Sequence, residues 1–303
     1  MGLPGVCDGG ARYYAHLLLG RQSERIVDDA FGLRAGHTQI MPRPSHPLAA
    51  DQDETVDDLL RTSARISKSV PLRRVFVQQG AQHQPQPGPL ASLLRAHDER
   101  GLDLFLLHHA AASADPWDVT RDARVWARAL GLHRDRDAGV AAVSKTWRRL
   151  EENHALIRRA RRGRLAKITA LREDGLGKSY TYPNGSRRDE RYFKLPYDYW
   201  TAEQRWYRTL PFRAKAMLLV SLSLPAGFVL PTHRVPDWYG ISADSADRGL
   251  RELDKAGLLR REITVKKAPQ APLGIAQEYH HTLLPPFAQR RAVATVTKLR
   301  TVS

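Results

Sequence analysis

Residues 232–262 read THRVPDWYGISADSADRGLRELDKAGLLRRE, and the fold turns on them. A short helical stretch, 234–239, ends at Gly240, the residue that most readily turns a corner at positive φ. Ile241 follows, and Ser242 is a good N-cap for the next helix. In that helix, expected over 243–256, Ala246, Leu250 and Leu253 fall at i, i+4 and i+7 and make one apolar stripe. Ser245, Asp247, Arg248 and Arg251 lie off the stripe, on an exposed face expected to be basic. Gly257 stops the helix. Leu258-Leu259-Arg260-Arg261 then begins an extended segment.

Helix, tight turn and helix with a basic front is the helix-turn-helix arrangement, whose second helix enters the DNA major groove. The order G-I-S at 240–242, RGLREL at 248–253, AGLL at 256–259 and then a basic strand resembles the winged-helix family. The resemblance spans residues 211–285 and implies a DNA-reading helix with Ser242, Ser245, Asp247, Arg248 and Arg251 at the interface. Arg248 and Arg251 are the expected base contacts. Winged helices also serve as protein-docking modules, and that alternative predicts no salt-dependent DNA affinity. In the same stretch a strand is expected at 228–230, after a first helix at 212–224. Residues 262–265 and 278–284 are expected to pair as a wing, with Lys266 and Lys267 at its base as further contacts. Its tip, APQAPLG, is apolar and Pro-rich and makes a poor DNA contact.

Residues 88–184 read as a first copy of the module. Helices are expected at 90–112, at 121–130 before Gly131, and at 138–153. Val143, Trp147 and Leu150 repeat the spacing of Ala246, Leu250 and Leu253, 103 residues earlier. Leu156-Ile157-Arg158-Arg159 repeats Leu258-Leu259-Arg260-Arg261. Extra residues at 133–138 precede the third helix, which limits the transfer of contact positions to this copy. Its candidate contacts are Lys145, Arg148 and Arg149 on that helix. A period of about 100 residues implies tandem domains and not a solenoid. Segments 156–160 and 165–171 can pair as a hairpin tipped by Arg161-Arg162-Gly163-Arg164. Such a tip can track phosphates or enter a minor groove. Arginines this close repel one another unless something anionic accepts them.

The rest of the chain is less readable. Residues 1–87 read as an N-terminal arm, partly helical or disordered, with helices at 12–31 and 53–67 and a loop at 36–49. QQGAQHQPQPG at 78–88 reads as a polar linker. Residues 185–210 form an aromatic-rich linker, with Tyr192, Phe193, Tyr197, Tyr199, Trp200, Trp206 and Tyr207, expected to fix one module against the other, the alternative being a platform that stacks on unpaired bases. The second module then covers 211–288 and a basic tail 289–303. The expected fold is therefore mostly α with small antiparallel β-hairpins, an α+β chain of two tandem winged-helix domains.

Charge points to the same partner. The net charge is +16, of which residues 1–87 carry only +1, 88–188 carry +8 and 189–303 carry +7. A basic domain calls for a polyanion, most often nucleic acid. The single cysteine, Cys7, makes no internal disulfide, which suits a reducing cytoplasm, and the expected DNA binding would make the protein nucleoid-associated there. The opening MGLPGVCDGG shows no leader, and the apolar run 216–224 is too short to cross a bilayer, so no membrane is expected.

No catalytic pattern is present: no G-x-x-x-x-G-K, no G-x-G-x-x-G, no H-E-x-x-H, and no H-x-H of the kind used with a nicking tyrosine. The pairs His108-His109 and His280-His281 have poor geometry for one ion, so neither metal nor cofactor is expected. Domain order resembles that of tandem winged-helix plasmid replication initiators. The resemblance implies double-stranded DNA as partner. Host replication proteins and a second copy of the chain are candidate protein partners. The alternative is a transcription regulator at its own or a neighbouring promoter.

Overall fold

Asp51 and Glu54 close a capping box on α1 (Gln52–Thr62): the Asp51 carboxylate accepts from the Glu54 N–H at 2.8 Å, and Glu54 returns the bond at 2.9 Å. This helix lies early in the computed structural model, which describes residues 49–132, 136–270 and 272–288. Among them the fold is α+β, with ten helices and four small antiparallel sheets. The helix expected over 12–31, nearly all of the loop over 36–49, Cys7 and the tail 289–303 lie outside the described residues.

Residues 51–87 are part of the packed structure and not an arm. Val56, Leu59 and Leu60 of α1 are buried in the core. Next come β1 (Ser69–Arg73), β2 (Gln78–Ala81) and β3 (Gln84–Pro87). The expected linker at 78–88 is thus a β-hairpin, with Gln79 opposite Gln86 and Gly80 opposite Pro85. Gly80 has φ +82, and a Cβ there would stand 2.3 Å from the Gln84 carbonyl. The prolines take alternate positions. The Gly88 N–H bonds back to Val77, so Gln84 and Gln86 face β2 while Pro85 and Pro87 face away and lose no ladder bond.

α2 (Pro89–Arg95) and α3 (Glu99–Ala111) follow where one helix was expected. His97, at φ +50, breaks the run, and Asp98 caps α3 through the Gly101 N–H at 3.0 Å. Then come β4 (Asp118–Arg121), α4 (Ala123–Ala129), α5 (Arg136–Glu152), β5 (Ile157–Arg162) and β6 (Leu165–Ala170). The connection to the second half holds β7 (Tyr192–Pro196), α6 (Asp198–Thr201) and α7 (Trp206–Thr209). The second half is α8 (Phe212–Ser223), β8 (Phe228–Val229), α9 (Val235–Tyr239), α10 (Ala243–Lys255), β9 (Leu259–Lys267) and β10 (Ile275–Leu283).

From α3 and from α8 the chain repeats one order: helix, strand, helix, helix, strand, strand. The sheets repeat as well, β4-β6-β5 in the first half and β8-β10-β9 in the second. Val143, Trp147 and Leu150 are buried on α5 as Ala246, Leu250 and Leu253 are on α10. Burying one leucine side chain in this way contributes about 1.5–3 kcal/mol. α10 runs so close to α8 that a Cβ on Gly249 would meet the Arg213 carbonyl at 2.7 Å.

The halves and the segment before them belong to one compact unit. β1 pairs with β7 along Ser69–Arg73, so the segment before the first half is woven into the connection between the two. Tyr197 hydroxyl meets Ser63 Oγ at 2.9 Å and the Ala110 carbonyl at 3.1 Å, and Tyr207 donates to Asp53 at 3.0 Å. Tyr199 and Trp200 are fully buried. The aromatic cluster is packing, not an open platform. Buried Lys215 on α8 reaches both oxygens of Asp103 on α3 at 2.8 Å and Glu99 at 2.9 Å, tying the first helices of the two halves together. Among the described residues no helix is long and apolar enough to cross a membrane.

Both histidine pairs belong largely to this core. His108 packs edge-on against Trp147 and tilted against Trp126, and shares a hydrogen bond with the Ile168 carbonyl at 3.0 Å. Burial pushes His108 and His281 down to about 4 and His109 well below its ordinary value. A base held neutral in the fold binds a proton only when the chain unfolds. Stability should therefore fall as pH drops from about 6.5 towards 4, by up to about 3 kcal/mol for each such histidine. Asp103 acts oppositely over part of this window, since burial lifts its carboxyl to about 6 against the pull of Lys215. Burial raises the Glu173 carboxyl as well, but two carboxyls against three histidines still leave a net loss. Urea unfolding followed from pH 7 to 4 checks this, and a flat profile would mean the imidazoles are hydrated.

Candidate nucleic-acid interface

In the second half the sequence builds the candidate face at the turn between α9 and α10. Gly240 caps α9 at φ +64, and Ser242 caps α10 by accepting the Ser245 N–H at 3.2 Å. Ser242 Oγ also donates to Ser245 Oγ at 2.8 Å, which leaves the Ser245 hydroxyl proton free to point elsewhere. At the far end Gly257 takes φ +70 and the Leu258 N–H bonds the Leu253 carbonyl at 2.9 Å, a Schellman closure.

The front of α10 is not simply basic. Within Ala243–Lys255 four acidic side chains outnumber three basic ones. Arg248 Nε pairs with Asp244 at 2.9 Å, one turn back, and Arg251 Nη2 with Asp247 at 2.8 Å. The other Asp247 oxygen meets Arg261 of β9 at 3.4 Å, and Arg261 lies 4.3 Å over the Tyr279 ring. Asp247 therefore orients two arginines, and its own oxygens are occupied. Exposed i, i+4 pairs are worth only about 0.3–0.5 kcal/mol, so Arg248 and Arg251 remain available to a stronger acceptor. Asp244 engages the Arg248 Nε, and among the described residues the Nη groups, the fork that matches guanine O6 and N7, have no partner.

If α10 enters the major groove, Arg248→Ala should weaken binding to a specific duplex by about 1–3 kcal/mol, the cost of one bidentate arginine–guanine contact. Binding to random duplex should change much less. Equal losses on both, measured by fluorescence anisotropy, would reassign Arg248 to phosphate.

The hairpin β9–β10 runs further than expected. Lys266 stands opposite Ala276 and Lys267 opposite Ile275, so both lysines sit beside the tip and not at the base. The β-branched Ile263, Val265 and Ile275 extend the ladder past 265, and all three are exposed. Lys266 pairs with Glu278, while Lys267 has no ion-pair partner among the described residues.

In the first half the corresponding face is less neutralised. Lys145 and Arg148 are exposed on α5, and Arg161, Arg162 and Arg164 are exposed at the β5–β6 turn. Among the described residues none of these five has an ion-pair partner. Gly163 makes the turn at φ +63 with nothing within 4 Å of a Cβ. Arg149 behaves differently. It grips Asp98 through Nε at 2.8 Å and Nη2 at 2.7 Å, and that carboxylate also caps α3. Its role is to hold α5 against α3.

Arg158 and Arg260 join the candidate face beyond the residues expected from the sequence. They occupy matching strand positions, opposite Thr169 and Thr282, and both are exposed and unpaired among the described residues. The repeated L-[LI]-R-R is the signal that finds them, since strand alternation turns the first arginine out when the second faces the helix. Arg159 does face the helix, where it bonds Glu151, as Arg261 bonds Asp247. A groove of about 670 Å³ was also unforeseen. It runs along the N-terminus of α10, where Arg95 and His97 from the first half meet Arg213 and Ser242.

Among the described residues no cluster of His, Cys, Asp and Glu could hold a metal. No family model, curated protein or solved structure matches the chain.

Proposed function

We propose that this chain binds double-stranded DNA sequence-specifically through two tandem winged-helix modules, and that it initiates replication of the element that encodes it. The observation that carries the reading is the repeat. Helix, strand, helix, helix, strand, strand occurs twice, with the first strand of each sheet on the outside and the last in the middle. In this reading α5 and α10 enter major grooves, and the β5–β6 and β9–β10 hairpins are wings. Arg248, Arg251, Lys145 and Arg148 face bases, while Arg158, Arg161, Arg162, Arg164, Arg260 and Lys267 face phosphates.

The replication role rests on the ties between the halves. Two linked sites raise affinity only if both engage together. The Lys215–Asp103 pair, the β1–β7 ladder and the buried aromatics favour one fixed spacing of the two helices. A rigid grip across two groove segments suits a protein that distorts its site, since bending 20–30 base pairs costs on the order of 1–6 kcal/mol. A simple repressor usually gains its second contact by dimerising. Opening of the strands would fall to host proteins.

The test is to place the gene and its flanking DNA on a fragment with no other origin. Autonomous maintenance that is lost in the Arg248→Ala, Arg251→Ala double variant is the expected result. If the fragment never replicates and the purified protein binds only its own promoter, the chain is a transcription regulator instead.

A further inference from the structure

A second basic feature lies away from both hairpins. Arg74 follows β1 directly, and its backbone N–H bonds the Arg191 carbonyl at 2.8 Å. That bond draws the turn after β1 against residues 188–191. Arg74, Arg188 and Arg191 together line a pocket of about 310 Å³, with Gln78 and Gln79 of β2 also on its wall.

The neighbouring arginines show what this chain does when it neutralises a guanidinium itself. Arg73, one residue earlier, has Glu173 at 2.7 Å and Glu190 at 2.9 Å. Arg172 has Asp174, Asp189 and Glu190, all within 2.9 Å. The one carboxylate on the pocket wall, Asp189, is thereby spent on Arg172. Among the described residues Arg74, Arg188 and Arg191 have no carboxylate partner. Among the described residues the buried Arg74 Nε has no acceptor. A buried donor left unmade is costly. Burial, then the charges of Arg191 and Arg188, keep the Arg74 guanidinium below its ordinary range.

We propose that Arg74, Arg188 and Arg191 form an oxyanion site that takes a phosphate group. Guanidinium forks match phosphate oxygens two at a time. Three cations suit a multiply charged tetrahedral anion better than a single carboxylate. The bound anion screens the three like charges from one another. The site does not depend on α10 reading DNA. Its phosphate can come from a nucleic-acid backbone or from a free phosphate compound, and the chemistry is the same.

The experiment uses the full chain and inorganic pyrophosphate, titrated calorimetrically at low salt. One saturable site per chain is expected, weakened at least tenfold in Arg188→Ala, Arg191→Ala. Both of these side chains are exposed, so the variant keeps its fold. Arg187→Ala, an exposed arginine outside the pocket, should bind as wild type. No saturable binding, or equal weakening by Arg187→Ala, overturns the proposal. Repeating the titration with saturating duplex identifies the source: lost pyrophosphate binding assigns the site to the DNA backbone, and retained binding assigns it to a free phosphate compound. A chain that takes pyrophosphate but no duplex keeps this site and loses the DNA reading.

Discussion

Arg73→Met is expected to destabilise the chain by about 3–5 kcal/mol, the cost of leaving buried charges without their partner. Arg73 is fully buried and sits among acceptors on every side. Its Nη1 meets Glu173 at 2.7 Å, Nε meets Glu190 at 3.0 Å, and Nη2 meets the Thr181 carbonyl at 2.7 Å. Burial alone would weaken its charge, but Glu173 and Glu190 outweigh that and hold the guanidinium above its ordinary value. Methionine fills the space of the stem and strands both carboxylates, of which Glu173 is wholly buried. Stranded carboxylates take up protons in the fold at a higher pH than in the unfolded chain. The variant should therefore recover part of its stability as pH falls from about 7 towards 5, where the wild type loses it through its histidines. Adding Glu173→Gln should also restore part of the loss. A loss below about 1 kcal/mol in urea unfolding would mean that water replaces the guanidinium freely.

The place of Arg73 explains why much of the fold was hidden in the sequence. Its partners lie 100 and 117 residues further on. No local pattern marks an arginine in SVPLR as the tie between β1, the end of the first half and the connection. The same holds for β4, four residues long and paired with β6 far along the chain. The β2–β3 hairpin was hidden differently. Its glutamines and prolines have the composition of a linker, and only the alternation of Pro85 and Pro87 hints at a strand. By contrast, local chemistry decides residues 232–262, where Gly240, Ser242 and Gly257 do as their types require. The repeated buried stripe at Val143 and Ala246 was legible because helical periodicity is local. The candidate face was half legible. Counting only arginines gave α10 a basic front. Asp244 and Asp247 stand four residues before Arg248 and Arg251, the favourable direction for a pair, and that spacing was open to reading.

Replacing Arg161, Arg162 and Arg164 together by alanine should produce the largest change in DNA affinity. These groups are exposed, and among the described residues nothing neutralises them, unlike Arg248 and Arg251. Each phosphate contact contributes about 0.9 to the slope of log K against log salt, so losing three should make the slope shallower by about 2.7. The counterion term fades towards 1 M salt, and the same slope then corresponds to roughly 500-fold weaker binding at 0.1 M. The loss should be similar on specific and random duplexes, because a turn that follows phosphates reads no base. The three residues need not contribute equally. Arg161 and Arg162 are neighbours on β5 and point to opposite faces of the hairpin. Arg162 lines a cleft of about 520 Å³ beside α1, together with Arg121. Arg164 sits on the turn after Gly163, clear of both strands. Single replacements should therefore rank Arg161 and Arg164 above Arg162 if the tip follows one phosphate strand, and should be equal if the tip sits inside a minor groove. Salt titrations of the triple variant decide the larger question: an unchanged slope would mean that this arginine turn faces solvent in the complex.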